Sequence, residues 1–352
     1  MINKIKMVVV GLVFGRYIVE EQLLKGPGKK YIELAGVCDL NMKLCSEIAL
    51  THNLKQYKDI DEILKDPSIE AIGLFSPPGG HSELIRKIIH AGKHVMTTKP
   101  FDLNAEAAYD VLKEAKRLEK VVHLNSPGPL PAPETTQIIK WTHEYDLGKP
   151  VSVLWETYAD YHHEADGSWY DDPTKCPVAP IFRLGIYGLN QIVRLCGNVK
   201  QAGVVSSRFR TGRPTPDNAI LSLVFANGAV GAVHASFCVR NGHLYPDNLT
   251  LNYERGTIRT RPLDTNENGD TSSRRVKLQT LNSKGEISIS EVVFKKNDLT
   301  GKYQWDNFYK AIRSNFALPG EITPEQIISG IQIINAMSQA EKTGKAVEIK
   351  KT

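Results

Sequence analysis

Cysteine is sparse, and what there is does not pair. Five occur, Cys38, Cys45, Cys176, Cys196 and Cys238, an odd number with no Cys-x-x-Cys. This argues against a disulfide framework and against a zinc site, and it favours a reducing compartment. No run is long and apolar enough to cross a bilayer. The apolar stretch Met7 to Phe14 follows Lys4 and Lys6, but Arg16, Glu20 and Glu21 come next instead of a small-residue cleavage site. A secretory signal is therefore not expected, and the cytoplasm is the expected location. No block of Lys and Arg stands out against a formal charge of +5, so neither nucleic acid nor a membrane surface is an expected partner. Internal repeats and low-complexity tracts are missing as well.

What is present suits a globular enzyme. With 41% hydrophobic and 24% charged residues, a chain of this length can bury a sizeable core without disulfides. The 352 residues are enough for two domains. Residues 1–125 alternate short apolar runs with helical patterns. Met7–Val10, Ile32–Cys38, Ala71–Phe75, His94–Met96 and Val121–Leu124 read as strands, and Tyr17–Lys25, Met42–Leu54, Asp59–Lys65, Ser82–Ala91 and Ala105–Leu118 as helices. Repeated βα units predict a parallel sheet covered on both faces, an α/β dinucleotide-binding (Rossmann) domain. Ser126-Pro127-Gly128-Pro129-Leu130-Pro131-Ala132-Pro133 breaks this pattern and marks a boundary.

Residues 126–352 read as an α+β domain with a large, mostly antiparallel open sheet, serving substrate binding and oligomerisation. Its strands are expected at Val151–Tyr161, Val199–Arg208, Ala219–Phe225, Ala229–Val239, Leu249–Tyr253 and Ile287–Phe294, with Asn227-Gly228 as a hairpin turn. Helices are expected at Arg183–Leu195, Tyr303–Ser314 and Pro324–Lys342.

Gly11-Leu12-Val13-Phe14-Gly15-Arg16 lies between the first strand and first helix, where a tight turn lets backbone amides approach a pyrophosphate. Gly11 fills the first glycine position of the dinucleotide fingerprint, Val13 the second and Arg16 the third, with Gly15 one place early. The same loop would also serve as an ordinary βα turn. Asp39, closing the second strand, can accept ribose hydroxyls and would repel a 2′-phosphate, which favours NAD over NADP. It could instead be a turn or capping aspartate.

Further motifs point to a family. Ser76-Pro77-Pro78-Gly79-Gly80-His81, Gly92-Lys93-His94-Val95, Thr98-Lys99-Pro100, Trp169-Tyr170-Asp171-Asp172-Pro173 and Leu184-Gly185-Ile186-Tyr187-Gly188-Leu189-Asn190 come in that order. With Glu254-Arg255-Gly256-Thr257-Ile258 and Thr343-Gly344-Lys345-Ala346-Val347, they resemble the Gfo/Idh/MocA (glucose–fructose oxidoreductase / inositol dehydrogenase) family over nearly the whole chain. The resemblance implies an NAD-dependent oxidoreductase acting on a secondary alcohol of a sugar, polyol or sugar derivative, without a metal, as a homodimer or homotetramer. It assigns Gly11, Val13, Phe14, Gly15, Asp39, Ser76, Pro77, His81 and Lys99 to the cofactor.

Lys99 matches the family's catalytic lysine. Independently, it follows an apolar strand at the sheet edge where open α/β folds bind ligands. Tyr187 stands where most members carry an acid/base histidine, which is similar to the glucose–fructose oxidoreductase branch. A tyrosine can serve if its pKa drops from about 10, and Lys99 and Arg183 are cations able to lower it. Arg183, Tyr187 and Asn190 fall on one helical face by three-and-four spacing. Arg183 replaces the family aspartate and could hold an acidic group of the substrate. Asn190, Asn125 and His162 are the other expected substrate contacts. The departures at Thr98, where the family has glutamate, and at Arg183 leave two alternatives open: a lyase or glycoside-cleaving enzyme with a retained NAD, and a non-catalytic regulator that binds NAD or sugar.

Overall fold

Short runs dense in β-branched residues build the first sheet, each followed by a helix that returns the chain to its starting edge. The computed structural model describes residues 2–125, 127–161, 164–210, 212–242, 245–265, 271–295, 302–314 and 318–350. In chain order the first elements are β1 (Ile5–Val10), α1 (Leu12–Tyr17), β2 (Ile32–Cys38), α2 (Met42–His52), β3 (Lys55–Gln56), α3 (Ile60–Lys65), β4 (Ala71–Leu74), α4 (His81–His90), β5 (His94–Thr98), α5 (Ala105–Arg117) and β6 (Val122–Asn125). The strands pair in the order β3-β2-β1-β4-β5-β6, all parallel. Every residue of β4 is buried, as a strand covered on both faces requires. Side chains of Asn41, Asp59 and Asn104 accept from the amides of Leu44, Glu62 and Ala107, capping α2, α3 and α5. The helix expected over Tyr17–Lys25 starts earlier, at Leu12, and widens into π-type turns over Ile18–Leu24.

The later elements are α6 (Pro133–Glu144), β7 (Pro150–Tyr158), α7 (Ile186–Cys196), β8 (Val199–Ser207), β9 (Asn218–Phe225), β10 (Val230–Ser236), β11 (Asn248–Tyr253), β12 (Gly256–Thr265), β13 (Thr271–Leu281), β14 (Ile287–Lys295), α8 (Trp305–Ser314), α9 (Pro324–Thr343) and β15 (Val347–Glu348). Nine strands form one sheet, β14-β13-β12-β11-β7-β10-β9-β8-β15. Among the described residues, β7 and β10 pair in parallel and the other neighbours are antiparallel. Asn227-Gly228 makes the β9–β10 hairpin, with Gly228 at φ 92° and Val224 paired to Val230. Val153, Trp155 and Thr157 of β7 point into the core, while Leu154 between them is exposed.

The chain forms two compact units, Met1–Leu130 with Tyr303–Ile328, and Pro131–Lys302 with Ser329–Thr352. The sequence reading put everything after residue 125 in the second domain. Residues 303–328 group with the first instead, because Trp305, Phe308 and Ile312 of α8 bury in a core built from Ile5, Met7, Val9, Ile18 and Val37. Among the described residues, no helix is long and apolar enough to cross a membrane. No disulfide joins any of the five cysteines.

Candidate functional site

Register decides where the first unit can do chemistry. Val10 lies beside Cys38 and Leu74, Leu74 beside Thr97, and Thr98 beside Asn125, so β1, β2, β4, β5 and β6 end together. Strand order reverses between β1 and β4, and the crevice beyond such a reversal is where open α/β sheets take ligands. Gly11 leaves β1 there with φ 85°, and a Cβ at that position would stand 2.5 Å from the Ser76 amide nitrogen. Only glycine meets both demands. The Gly11 amide donates to Cys38 O at 3.0 Å, and the Leu12 amide to Asp39 Oδ2 at 2.5 Å. Asp39 Oδ1 accepts from Asn41 N at 2.7 Å. Asp39 therefore ties the glycine turn to the end of β2, and Asn41, not Asp39, caps α2. A carboxylate has about four lone-pair sites, so this arrangement leaves capacity for ribose hydroxyls.

Val13 is 86% exposed and Phe14 42% exposed in the first turn of α1, where backbone amides have no partner within the helix. Gly15 is buried, with its missing side chain facing Val9. Cys38, next to Asp39, is no nucleophile, since burial pushes its thiol up to about 12.

The turn after β4 is held to the loop after β5. His81 is buried, and burial holds its imidazole below the ordinary histidine range, hence neutral. Its Nδ1 lies 3.1 Å from Phe101 O, and its Nε2 lies 2.8 Å from Ser76 O and 3.0 Å from Ser76 Oγ. Pro77 is exposed beside it. Asp102, which the sequence reading passed over, completes the brace. Its buried carboxylate accepts from Ser82 N (2.7 Å), Ser82 Oγ (2.5 Å), Leu103 N (2.6 Å) and Asn104 N (3.0 Å). The Lys99–Pro100 peptide is cis, and Lys99 follows β5 directly, two residues before the anchored Phe101. The structure thus brings Gly11, Asp39, Ser76, His81, Lys99 and Asn125 to one sheet edge.

In the second unit, Arg183 lies in a π-helical turn over Ile181–Gly185 that runs into α7. Gly188 lets α7 approach β7 closely, since a Cβ there would stand 2.0 Å from the Trp155 ring. In the stretch 181–190 all residues are buried except Arg183 and Tyr187, which share one face at a spacing of four. The Arg183 guanidinium sits over the rings of Tyr170 (4.2 Å), Phe237 (5.1 Å) and Tyr161 (5.2 Å). Stacking of this kind fixes a cation in place. Asp171 organises the loop carrying Tyr170. It binds Arg213 Nη1 at 2.7 Å and accepts from the amides of Asp166 (2.8 Å) and Gly167 (2.7 Å). Asn190 is buried, its Oδ1 against the backbone of Gly330 in α9. His162 lies outside the described residues.

Residues 5–126 match the profile described as "Oxidoreductase family, NAD-binding Rossmann fold", and residues 136–259 match the "GFO/IDH/MocA C-terminal domain". The chain belongs to the Gfo/Idh/MocA oxidoreductase family. By its description, that family is one of oxidoreductases with an NAD-binding Rossmann fold. Among its relatives, scyllo-inositol 2-dehydrogenase (NADP(+)) of Bacillus subtilis is 24% identical over 82% of this chain and 81% of that protein. An uncharacterised oxidoreductase of Schizosaccharomyces pombe is 31% identical over 41% of this chain; the match spans 39% of that relative's length. Levoglucosan dehydrogenase in complex with NADH and levoglucosan superposes with a TM-score of 0.78 at 16% identity, covering 99% of this chain and 100% of that one. At that identity the likeness is one of fold.

Proposed function

We propose that this Gfo/Idh/MocA protein is an NAD(H)-dependent dehydrogenase of a secondary alcohol in a sugar, polyol or sugar derivative. The observation that carries this reading is the convergence of Gly11, Asp39, Ser76 and Lys99 on the carboxyl edge of the first sheet. The cradle fits a dinucleotide. Gly11 makes the tight turn out of β1 against Ser76, the first turn of α1 after it carries the amides of Val13 and Phe14, and Asp39 offers a carboxylate to a ribose diol. The same carboxylate disfavours a 2′-phosphate, which supports NAD over NADP.

Once bound, the cofactor supplies the hydride chemistry. Lys99 hydrogen-bonds the substrate hydroxyl and stabilises charge on its oxygen, and Tyr187 takes that hydroxyl's proton as the carbonyl forms. Arg183, fixed by its aromatic neighbours, orients an acidic or strongly polar substituent of the substrate, with Asn190, Asn125 and His162 as further contacts. The relatives that act on inositol and levoglucosan support a polyhydroxylated substrate. A second copy of the chain covers the outer face of the nine-stranded sheet, where Leu154, Val205 and Ile220 are exposed.

The test is a panel of sugars, polyols, uronates and sugar phosphates with NAD and with NADP, followed by nicotinamide absorbance and paired with NADH and NADPH titrations. Turnover with NAD and tighter NADH binding are expected. Tighter NADPH binding would remove the Asp39 argument. Tight nucleotide retention without net turnover of any alcohol would favour the retained-NAD or regulatory alternative.

A further inference from the structure

Among the described residues, five other than glycine hold a positive φ: Asn53, Glu119, Asp146, Val178 and Tyr245. The first three stand one or two residues past the ends of α2, α5 and α6, where helices commonly turn left-handed. Val178 (φ 45°) precedes a helical turn and Tyr245 (φ 58°) precedes β11, so neither is a helix cap. A β-branched or bulky residue in that region is strained. Such strain persists where the surroundings over-determine the backbone, and it clusters at functional sites.

Both positions lead to Arg183. Val178 O accepts from Ile181 N (3.0 Å) and Phe182 N (3.1 Å), which starts the turn carrying Arg183. The Tyr245 hydroxyl is hydrogen-bonded to that of Tyr161, one of the three rings against the guanidinium. The backbone of Tyr245 is pinned on each side. Its amide donates to Tyr158 O at 3.0 Å, and its carbonyl accepts from Asp247 N at 2.8 Å. Asp247 Oδ2 lies 2.8 Å from Arg274 Nη1, which also lies 3.3 Å from Glu134 Oε2, and Arg274 and Glu134 are buried. Desolvation leaves a buried ion pair little net stability, yet breaking it is costly, so this one fixes the Tyr245 turn.

The described walls around Arg183 are neutral. Burial holds the Tyr161 and Tyr170 phenols above the ordinary tyrosine range, so neither is a phenolate that would cancel the arginine. Phe237 supplies the third wall. The carboxylates next in sequence to those tyrosines pair with other arginines, Asp160 with Arg210 and Asp171 with Arg213. Arg183, Tyr161 and Tyr170 are half-buried, so the box is reachable from solvent.

That charge selects a guest. A carboxylate matches a single guanidinium in charge and in planar, two-pronged geometry. A phosphate monoester carries nearly twice the charge and calls for further cations. Five N–H donors let a guanidinium serve protein neighbours and a ligand together. Tyr187 lies four residues on along the same face, roughly 6 Å along the axis, a separation that one sugar ring spans.

Resting on the dehydrogenase reading above, we propose that the box around Arg183 takes the carboxylate of a sugar acid, a uronate or an aldonate, and that Tyr245 is a positioning residue that sets this choice by holding Tyr161 against the guanidinium.

Steady-state rates with NAD test it, using D-glucuronate, D-galacturonate and D-gluconate against D-glucose, D-galactose and D-glucose 6-phosphate. At least one acid should exceed its neutral counterpart in kcat/KM by about tenfold or more. Arg183→Gln should lower kcat/KM for the acid roughly ten- to a hundredfold more than for the neutral sugar, the loss of a charge-assisted hydrogen bond. Tyr245→Phe removes only the hydroxyl, and Tyr245→Gly relieves the backbone strain, so folding does not rest on one variant. Each should raise KM for the acid about three- to tenfold with a much smaller change in kcat. Preference for a neutral sugar or for the phosphate would overturn the proposal and leave the dehydrogenase reading standing. Tyr245 variants that keep the wild-type KM, or that lose kcat for acid and neutral sugar alike, would overturn the role of Tyr245. Absence of turnover, with Arg183-dependent calorimetric binding of D-glucuronate to the NADH complex, would overturn the dehydrogenase reading and support the box. Neither turnover nor binding of any acid would overturn both.

Discussion

The two sheets of this protein solve the same problem in different ways. In the six-stranded sheet the strands are short, parallel and buried; β4 shows no exposed residue, and its outlets are the strand ends. In the nine-stranded sheet the strands are longer and alternate. β7 buries Val153, Trp155 and Thr157 and turns Leu154 outward, while Ile220 of β9 and Val205 of β8 add to the exposed apolar face. A sheet closed on both faces can act only at its edge, through turns such as Gly11 and Ser76 and through residues just past a strand, such as Lys99. A sheet with an open face has a whole surface to give to association, and on its other face α7 and the turn before it can present Tyr187 and Arg183.

Substitutions on each side of that comparison should fail differently. The largest effect is expected from Lys99→Met and Tyr187→Phe. Each should lower turnover about a hundred- to ten-thousand-fold, the range for a general acid–base group, with NADH affinity little changed in calorimetry. Gly11→Val comes next. It forces a β-branched residue to φ 85° and drives a Cβ to within 2.5 Å of Ser76 N. Backbone strain alone is worth roughly 1–3 kcal/mol, so melting temperature should drop and NADH affinity should fall roughly tenfold or more. On the open sheet, Leu154→Lys with Ile220→Lys should convert an oligomer to monomers in light scattering while leaving the far-ultraviolet circular dichroism intact. A monomeric wild type would remove the proposed use of that face.

The smallest effect concerns acid. Burial, with the Lys120 charge adding to it, lowers the His94 pKa from 6.5 to about 4, and its Nδ1 accepts from Val121 N at 3.0 Å. The folded state therefore favours the neutral ring. Its contribution is full above about pH 6.5 and is lost as pH falls toward about 4, because the unfolded chain takes up the proton first. The loss at about pH 5 is at most about 2 kcal/mol. His94→Asn should flatten the acid side of the stability–pH curve measured by denaturant titration. An unchanged slope would show that other groups set the acid limit.

Much of this was legible in the residues. Alternating apolar runs and helix patterns mark the parallel sheet, and Asn227-Gly228 marks a hairpin of the nine-stranded sheet, because period and turn chemistry are local properties. Gly11, Asp39 and Lys99 could be placed at one edge because βα units have fixed polarity. Other features had no local signal. β12 and β13 carry Arg259, Arg261, Arg274, Arg275 and Lys277, which hide their strand character; Arg274 is buried only because Glu134 and Asp247 meet it from distant segments. α6 starts at Pro133, in a run whose prolines read as an interruption. Trp305 and Phe308 look like the apolar face of any amphipathic helix, and nothing nearby says which core they enter. Asp102 reads as a turn aspartate until Ser82 is brought to it in three dimensions.

The central claim, that this Gfo/Idh/MocA protein moves a hydride from a sugar or polyol carbon to the nicotinamide of NAD, is tested most directly by following the atom itself. Wild-type enzyme would be incubated with NAD and each member of a panel of carbon-deuterated sugars, polyols and uronates, and the recovered nucleotide analysed by mass spectrometry. The account predicts deuterium in the reduced nicotinamide from at least one alcohol, abolished in Lys99→Met and Tyr187→Phe. Nucleotide that binds wild-type protein yet acquires no label from any alcohol would contradict it.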